Sequence, residues 1–241
     1  MKHRNLAALL ASLALALGAV TAAAAQDAPL PPVRANAGGA FIIAVPIGEF
    51  DDYVNTGWGI DGHFRIHLDR QGIISLRADG SFVNYGNETR RVCFGGGVGC
   101  LIQLDLTTSN NILSFAAGPE IAVPDGLIQP YIHGGIGISY FATTSSVEGS
   151  DNNDEPFART TNFDDLTFSW IAAAGLRIPL SRGRTPVALD LGARLLDNGE
   201  VEYLREGSIT TNPDGSIVLD PILSEANLVK ILIGVSIGIR W

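Results

Sequence analysis

From Gly57 onward the chain alternates apolar residues with polar or small ones, the period of two that marks strands whose faces meet different surroundings. Trp58, Ile60, Phe64, Ile66 and Leu68 share one face with Gly62, while Asp61, His63, Arg65 and His67 share the other. The next run repeats the division, with Ile74, Leu76, Ala78, Gly80 and Phe82 set against Ser75, Arg77, Asp79 and Ser81. Only Asp69-Arg70-Gln71-Gly72 separates the two runs, which predicts a tight turn. Extended along the chain, the pattern predicts eight strands at about residues 39–48, 57–68, 73–85, 110–123, 128–142, 166–180, 185–197 and 228–241. Their connections alternate: long around Asp51, Gly97, Asn152 and Asn212, and short at Arg70, at Pro124-Asp125-Gly126 and at Ser181-Arg182-Gly183-Arg184.

Short turns at one end and long loops at the other are the layout of a bacterial outer-membrane barrel. Past the first residues no apolar run approaches the roughly 20 needed for a membrane helix, so a membrane passage requires a closed barrel, which satisfies its own backbone in lipid. A soluble barrel alternates in the same way but would line its water-facing side with long charged residues. Here many polar-face positions are small, among them Gly135, Gly137, Ser139, Ala173, Gly175, Gly192, Gly234 and Ser236, as the crowded interior of a narrow barrel requires. The expected fold is an all-β, eight-stranded, antiparallel up-and-down transmembrane β-barrel.

The N-terminus reads differently. Lys2 and Arg4 precede an apolar run from Leu6 to about Val20, then the small residues Ala22 to Ala25. Ala23 and Ala25 fit the cleavage rule of a secretory signal peptide, which divides the chain into a signal peptide at 1–25, an extended periplasmic tail at 26–38 containing Pro29, Pro31 and Pro32, and a barrel at 39–241. Loss of Lys2 and Arg4 would take the formal charge from -9 to -11, a balance unsuited to binding nucleic acid.

The pattern over about residues 38–241 resembles the small outer-membrane β-barrel superfamily that includes the outer membrane protein A transmembrane domain, the outer membrane protein X family and the opacity proteins. On the last strand Val229, Ile231, Ile233, Val235, Ile237, Ile239 and Trp241 form an apolar face, with Leu232 the one exception among the residues between them. Ile233, Val235, Ile237, Ile239 and Trp241 resemble the C-terminal signal by which such barrels are recognised for insertion. The resemblance implies a location in the outer membrane, contact with its lipid and lipopolysaccharide, and handling by the barrel-insertion machinery.

Candidate chemistry is sparse. Cys93 and Cys100 flank a Gly-rich stretch in the second long loop and read as a disulfide in an exported chain; a metal site would need further ligands. The acidic loop Asp151-Asn152-Asn153-Asp154-Glu155 lacks the spacing of a calcium loop. His63 and His67 stand about 13 Å apart along a strand, too far for one metal ion. A hydrolase of the lipid A deacylase type would need a His beside a Ser nucleophile on the outer face, and no such pair is evident. No enzyme, cofactor or metal is expected. One constellation remains, on the lumen parity: Asp61, His63, Arg65, Arg77, Asp79, Glu120, His133, Arg177, Asp190, Arg194, Lys230 and Arg240. If the Arg70 turn sets Leu68 opposite Ile74, then Arg65 faces Arg77 and His63 faces Asp79, with Asp79 within reach of both arginines. Leu180 opposite Val187 sets Arg177 against Asp190, and Glu120 falls near Tyr131 or His133. These groups predict an internal plug of ion pairs in a non-enzymatic barrel that acts through its loops, in envelope integrity, adhesion or surface binding to an extracellular partner. The alternative is a narrow channel for small or hydrophobic solutes, similar to the outer membrane protein W family.

Overall fold

The computed structural model of this chain describes residues 31–94, 102–149, 158–211 and 217–241. Seven strands follow one another as β1 (Val33–Ile47), β2 (Gly57–His67), β3 (Ile74–Phe94), β4 (Ile102–Ala122), β5 (Gln129–Gly149), β6 (Ala158–Ser181) and β7 (Val187–Asn198). After β8 (Glu200–Tyr203), β9 (Ile209–Thr211), β10 (Ile217–Leu219) and β11 (Ile222–Glu225), all inside the last long connection, the chain returns as β12 (Asn227–Arg240). β12 pairs with both β7 and β1, so the ring β1-β12-β7-β6-β5-β4-β3-β2 is closed, up-and-down and antiparallel throughout. β8 with β11 and β9 with β10 form small two-stranded antiparallel sheets of their own.

Side-chain alternation now has a direction. On β2 every second residue is buried and the rest are exposed, and the exposed set is the apolar one: Trp58, Ile60, Phe64 and Ile66. The same holds for Leu76 and Phe82 on β3, Ile132, Ile136 and Ile138 on β5, and Ile231, Ile233, Val235, Ile237 and Ile239 on β12. So continuous an outward apolar surface has no place in water and marks the lipid-facing wall. The short turns close tightly: the Asp69 carboxylate accepts the backbone N–H groups of Gln71 and Ile74 at 3.1 and 2.9 Å, which holds its pKa below the usual carboxylate value, and Gly72 takes the φ of 77° that the turn needs.

Two boundaries differ from the sequence reading. β1 begins at Val33, inside the segment read as a tail, because Ala35 and Asn36 complete the ladder to Ile239 and Gly238 without adding an apolar face. β3, β4, β5 and β6 run far past their neighbours: β2 follows β3 only to Asn84, and β7 follows β6 only from Ser169. The extra length is a four-stranded sheet standing above the ring. Period two does not reveal it, because Thr, Ser and Asn occupy both of its faces and close cross-strand bonds there: Thr89–Thr107 at 3.0 Å, Ser109–Asn87 at 2.7 Å, Thr108–Ser145 at 3.0 Å and Asn162–Ser145 at 2.6 Å.

The wall makes a depth-dependent prediction. Ile233, between Phe41 and Leu191 in the ladder, sits in mid-band, so Ile233→Arg should cost about 2–4 kcal/mol, whereas Ile239→Arg at the rim should cost about 0–1. Equilibrium urea titration of folding into lipid vesicles measures both, and equal costs would contradict the assignment of the apolar face to lipid.

Candidate functional site in the barrel lumen

A closed ring of eight strands leaves an interior only wide enough to be filled by side chains or to hold a small ligand. Here it is filled in layers. Nearest the short turns, Glu120 on β4 is fully buried and takes three guanidiniums: Arg65 Nη1 at 2.6 Å on Oε1, and Arg77 Nη1 at 3.0 Å and Arg177 Nη2 at 2.6 Å on Oε2. Deeper, Arg194 bridges two carboxylates, Nη1 to Asp61 Oδ2 at 2.7 Å and Nη2 to Asp79 Oδ1 at 2.6 Å, while Arg77 Nε reaches the same Asp79 oxygen at 2.8 Å. Asp190 accepts from Tyr131 Oη at 2.8 Å and Arg177 Nε at 3.4 Å, with His63 Nε2 3.9 Å away. His133 Nδ1 meets the Pro119 carbonyl at 2.9 Å and its Nε2 lies 3.0 Å from Asp79 Oδ2. Each residue points inward because its strand alternates, and the strands bring together groups as far apart in sequence as Asp61 and Arg194.

Two features of the packing let so many charges fit. Tyr131 lies flat under Arg177, whose guanidinium carbon is 3.9 Å from the ring centroid, an arrangement that covers the cation without another carboxylate. A Cβ added at Gly175 would come within 2.4 Å of the Tyr131 ring, and one at Gly38 within 2.4 Å of the His63 ring. The small lumen residues are thus the space into which Tyr131 and His63 fit.

Above the ionic layer, Lys230 Nζ is held by Ser81 Oγ at 2.8 Å and Ser114 Oγ at 3.5 Å, and Ser139 bonds Ser114 beside them. Beyond that the lumen turns apolar. Ile42, Val83, Ile112, Phe141, Ile171, Leu196 and Leu228 are all buried, and two loops fold in on top of them. A 3-10 turn at Gly48–Asp52 inserts Phe50, which meets Tyr203 of β8 at 5.0 Å between ring centroids, Tyr85 at 5.7 Å and Phe141 at 6.3 Å, all edge to face. Burial pushes up the Tyr203 phenol, which shares a 2.9 Å hydrogen bond with Ser224 Oγ. The last loop is strapped across the mouth, since Glu202 N–H donates to Asp165 on β6 and Asn87 N–H on β3 donates to Glu206.

This aromatic lid went unnoticed in the sequence, although it leaves a trace. Near the long-loop end of each barrel strand except β2, alternation breaks into an apolar pair or triplet: Phe41-Ile42-Ile43, Phe82-Val83, Ile112-Leu113, Tyr140-Phe141, Trp170-Ile171, Leu195-Leu196, Leu228-Val229. In each, one residue faces the lid and the one or two beside it face lipid. The register reading gives the pairs His63–Asp79, Arg65–Arg77 and Arg177–Asp190 that the ladder contains, the last through an irregularity between Pro179 and Ser181. It misassigns one contact. Arg65 on β2 reaches past β3 to Glu120 on β4, and Asp79 is taken by Arg77 and Arg194, because the curvature of a narrow ring brings inward side chains of non-adjacent strands within reach of one another. Arg240 is half-buried at the short-turn mouth.

The structure also brings together one His–Ser pair that the sequence reading did not find: His67 Nδ1 lies 2.9 Å from Ser75 Oγ across the β2–β3 ladder. Ser75 is wholly buried on the lumen side, out of reach of a lipid acyl ester. Asp61, His63 and Asp79 present ligand-type atoms within 4.8 Å of one another, but Arg194 and Arg77 already neutralise both carboxylates, so a divalent cation there would meet like charge. Cys100, the acidic loop from Asp151 to Glu155 and Asn212 lie outside the described residues, as does the side chain of Cys93.

A family model described as an outer membrane protein beta-barrel domain matches residues 10–211. Among solved structures the chain is similar to Ail, the attachment invasion locus protein of Yersinia pestis, in complex with the heparin analogue sucrose octasulfate, at 11% identity over 86% of this chain and 99% of that one, with a TM-score of 0.41. Neisserial surface protein A matches at 10% identity over 86% of this chain and 97% of that one, TM-score 0.43. A major outer membrane protein from Thermus thermophilus matches at 8% identity over 83% and 99%, TM-score 0.39. No curated protein matches the sequence.

Because three guanidiniums depend on one carboxylate, Glu120→Gln should be among the costliest polar changes in the barrel, about 3–5 kcal/mol by the usual penalty for orphaning buried charge. Asp105→Asn, which breaks the solvent-exposed pair with Arg91 in the raised sheet, should cost about 0–1 kcal/mol. Urea titrations of the refolded variants measure the two, and a Glu120→Gln protein as stable as the parent would contradict the arrangement.

Proposed function

Because the chain belongs to the outer membrane protein β-barrel domain family, we propose that it is a non-enzymatic barrel of the outer membrane that works through the polar sheet and loops it raises above the lipid, in adhesion or binding to an extracellular partner. The observation that carries this reading is a division of the molecule. From the Glu120 cluster to the long-loop mouth the lumen is occupied by ionic, hydroxyl and aromatic layers, while β3 to β6 extend beyond the mouth with hydroxyl and amide groups on both faces. A filled interior supports a scaffold better than a solute path, and function on such scaffolds sits mainly in what they display.

The orientation follows the family layout, with the turns at Arg70, Gly126 and Gly183 toward the periplasm and the raised sheet outside. In this reading residues 1–25 are a cleaved signal peptide, Ile233 to Trp241 carry the insertion signal, lipid and lipopolysaccharide surround the wall, and a Cys93–Cys100 disulfide braces the tip between β3 and β4.

The test is to shorten the sheet without touching the ring. Asn87 pairs with Ser109 and Thr144 with Thr161, so a short turn joining each pair removes the extension and keeps the register below. Cells displaying the shortened protein should lose attachment to host-cell and glycan surfaces, while the barrel still migrates as a folded, heat-modifiable species. Unchanged attachment together with new detergent sensitivity would move the function from the sheet to the wall and to envelope integrity.

A further inference from the structure

The ionic layer does not fill the barrel to its short-turn end. Below it a cavity of about 390 Å³ opens between the three short turns, within the range of small-ligand sites. The chain as a whole is acidic, with 16 Lys and Arg against 25 Asp and Glu. The cavity reverses that balance: among the described residues Arg65, Arg70, Arg177, Arg182 and Arg240 line it, with Asp125 as the one carboxylate.

The floor is built rather than incidental. Arg65 and Arg177 are 5% and 3% exposed and are held by Glu120, with Asp190 also on Arg177, so they form a fixed floor and the charge offered to the cavity comes mainly from its rim. Arg65 Nε is buried and has no hydrogen-bond partner among the described residues. The rim is supplied from three separate places: Arg70 in the β2–β3 turn, Arg182 after β6, and Arg240 at the end of β12. Arg182 is steadied by a 2.9 Å bond from Nη2 to the Gly126 carbonyl of the neighbouring turn. A pocket with low-dielectric walls and one sign of charge concentrates the opposite ion, and guanidinium forks match oxyanions in pairs of hydrogen bonds.

We propose that this cup is a binding site for a phosphate group, as inorganic phosphate or as a phosphomonoester on a small molecule or lipid. Guanidiniums arriving from several sides suit a tetrahedral dianion, which offers oxygens in every direction, better than a planar carboxylate, which offers two. The cup ends on the Arg65–Glu120–Arg177 floor, so it binds and does not conduct. The site is independent of the raised sheet; only its facing the periplasm rests on the orientation proposed above.

Isothermal titration of inorganic phosphate into the refolded full chain, in zwitterionic detergent at low ionic strength, tests the proposal, with Arg70→Gln/Arg182→Gln as the comparison. Both residues sit on exposed turns outside the ionic layer, so the variant should fold normally by heat-modifiable migration. The parent should bind saturably and the double variant at least about tenfold more weakly, with affinity falling as salt is added. A parallel arm in nanodiscs containing phosphatidic acid separates the sources: protection of Arg70 and Arg182 from guanidine-directed labelling by that lipid, without saturable binding of free phosphate, would assign the group to a lipid headgroup. No saturable response to either probe, or a response equal in the double variant, would overturn the site.

Discussion

In lipid every backbone N–H and C=O must find a partner within the protein, and for strands the only complete solution is a ring without edges. The pairing of β12 with β1 is therefore the contact on which the rest depends. Closing with eight strands fixes the width, the width decides that the interior must be packed, and each inward position becomes a core position whatever its chemistry. The outward positions are relieved of any demand beyond being apolar, which is why one face of β12 is Val and Ile for most of its length.

The interior meets the packing demand in two ways. Toward the short turns it uses charges, which are costly to bury singly and tolerable only when each is held by others. Glu120 with three arginines and Arg194 with two aspartates have that shape, a network with no isolated pairs. Toward the long loops it uses the means of a soluble core: Phe50 in edge-to-face contact with Tyr85, Phe141 and Tyr203 over aliphatic residues. The two halves divide the work. A dry apolar lid needs no register, whereas an ionic layer is satisfied in one register only, so it also opposes slippage of a strand by one residue.

Much of this was legible in the sequence because a barrel strand announces its faces by parity alone. Asp61, Arg65, Arg77, Asp79, Glu120, Arg177, Asp190, Arg194 and Lys230 could be placed inside without any contact known, and counting back from Asp69–Gly72 sufficed to set His63 beside Asp79. What parity cannot supply is the third dimension. Which guanidiniums reach Glu120 from beyond its neighbouring strands depends on curvature, and the folding-in of Phe50 and Tyr203 depends on loops that carry no period. The raised sheet escaped for a related reason: outside the membrane both faces of a strand meet water, so Thr107, Thr108 and Ser109 alternate nothing and read as loop.

The central claim is that the lumen is sealed by these layers. Single-channel recording of the refolded chain in a planar lipid bilayer addresses it most directly. A sealed lumen predicts incorporation without steady openings across the usual range of holding potentials. Steady, large, reproducible conductance from the unmutated protein would contradict it, because no continuous water path can coexist with the Glu120 cluster and the Phe50 lid as they stand.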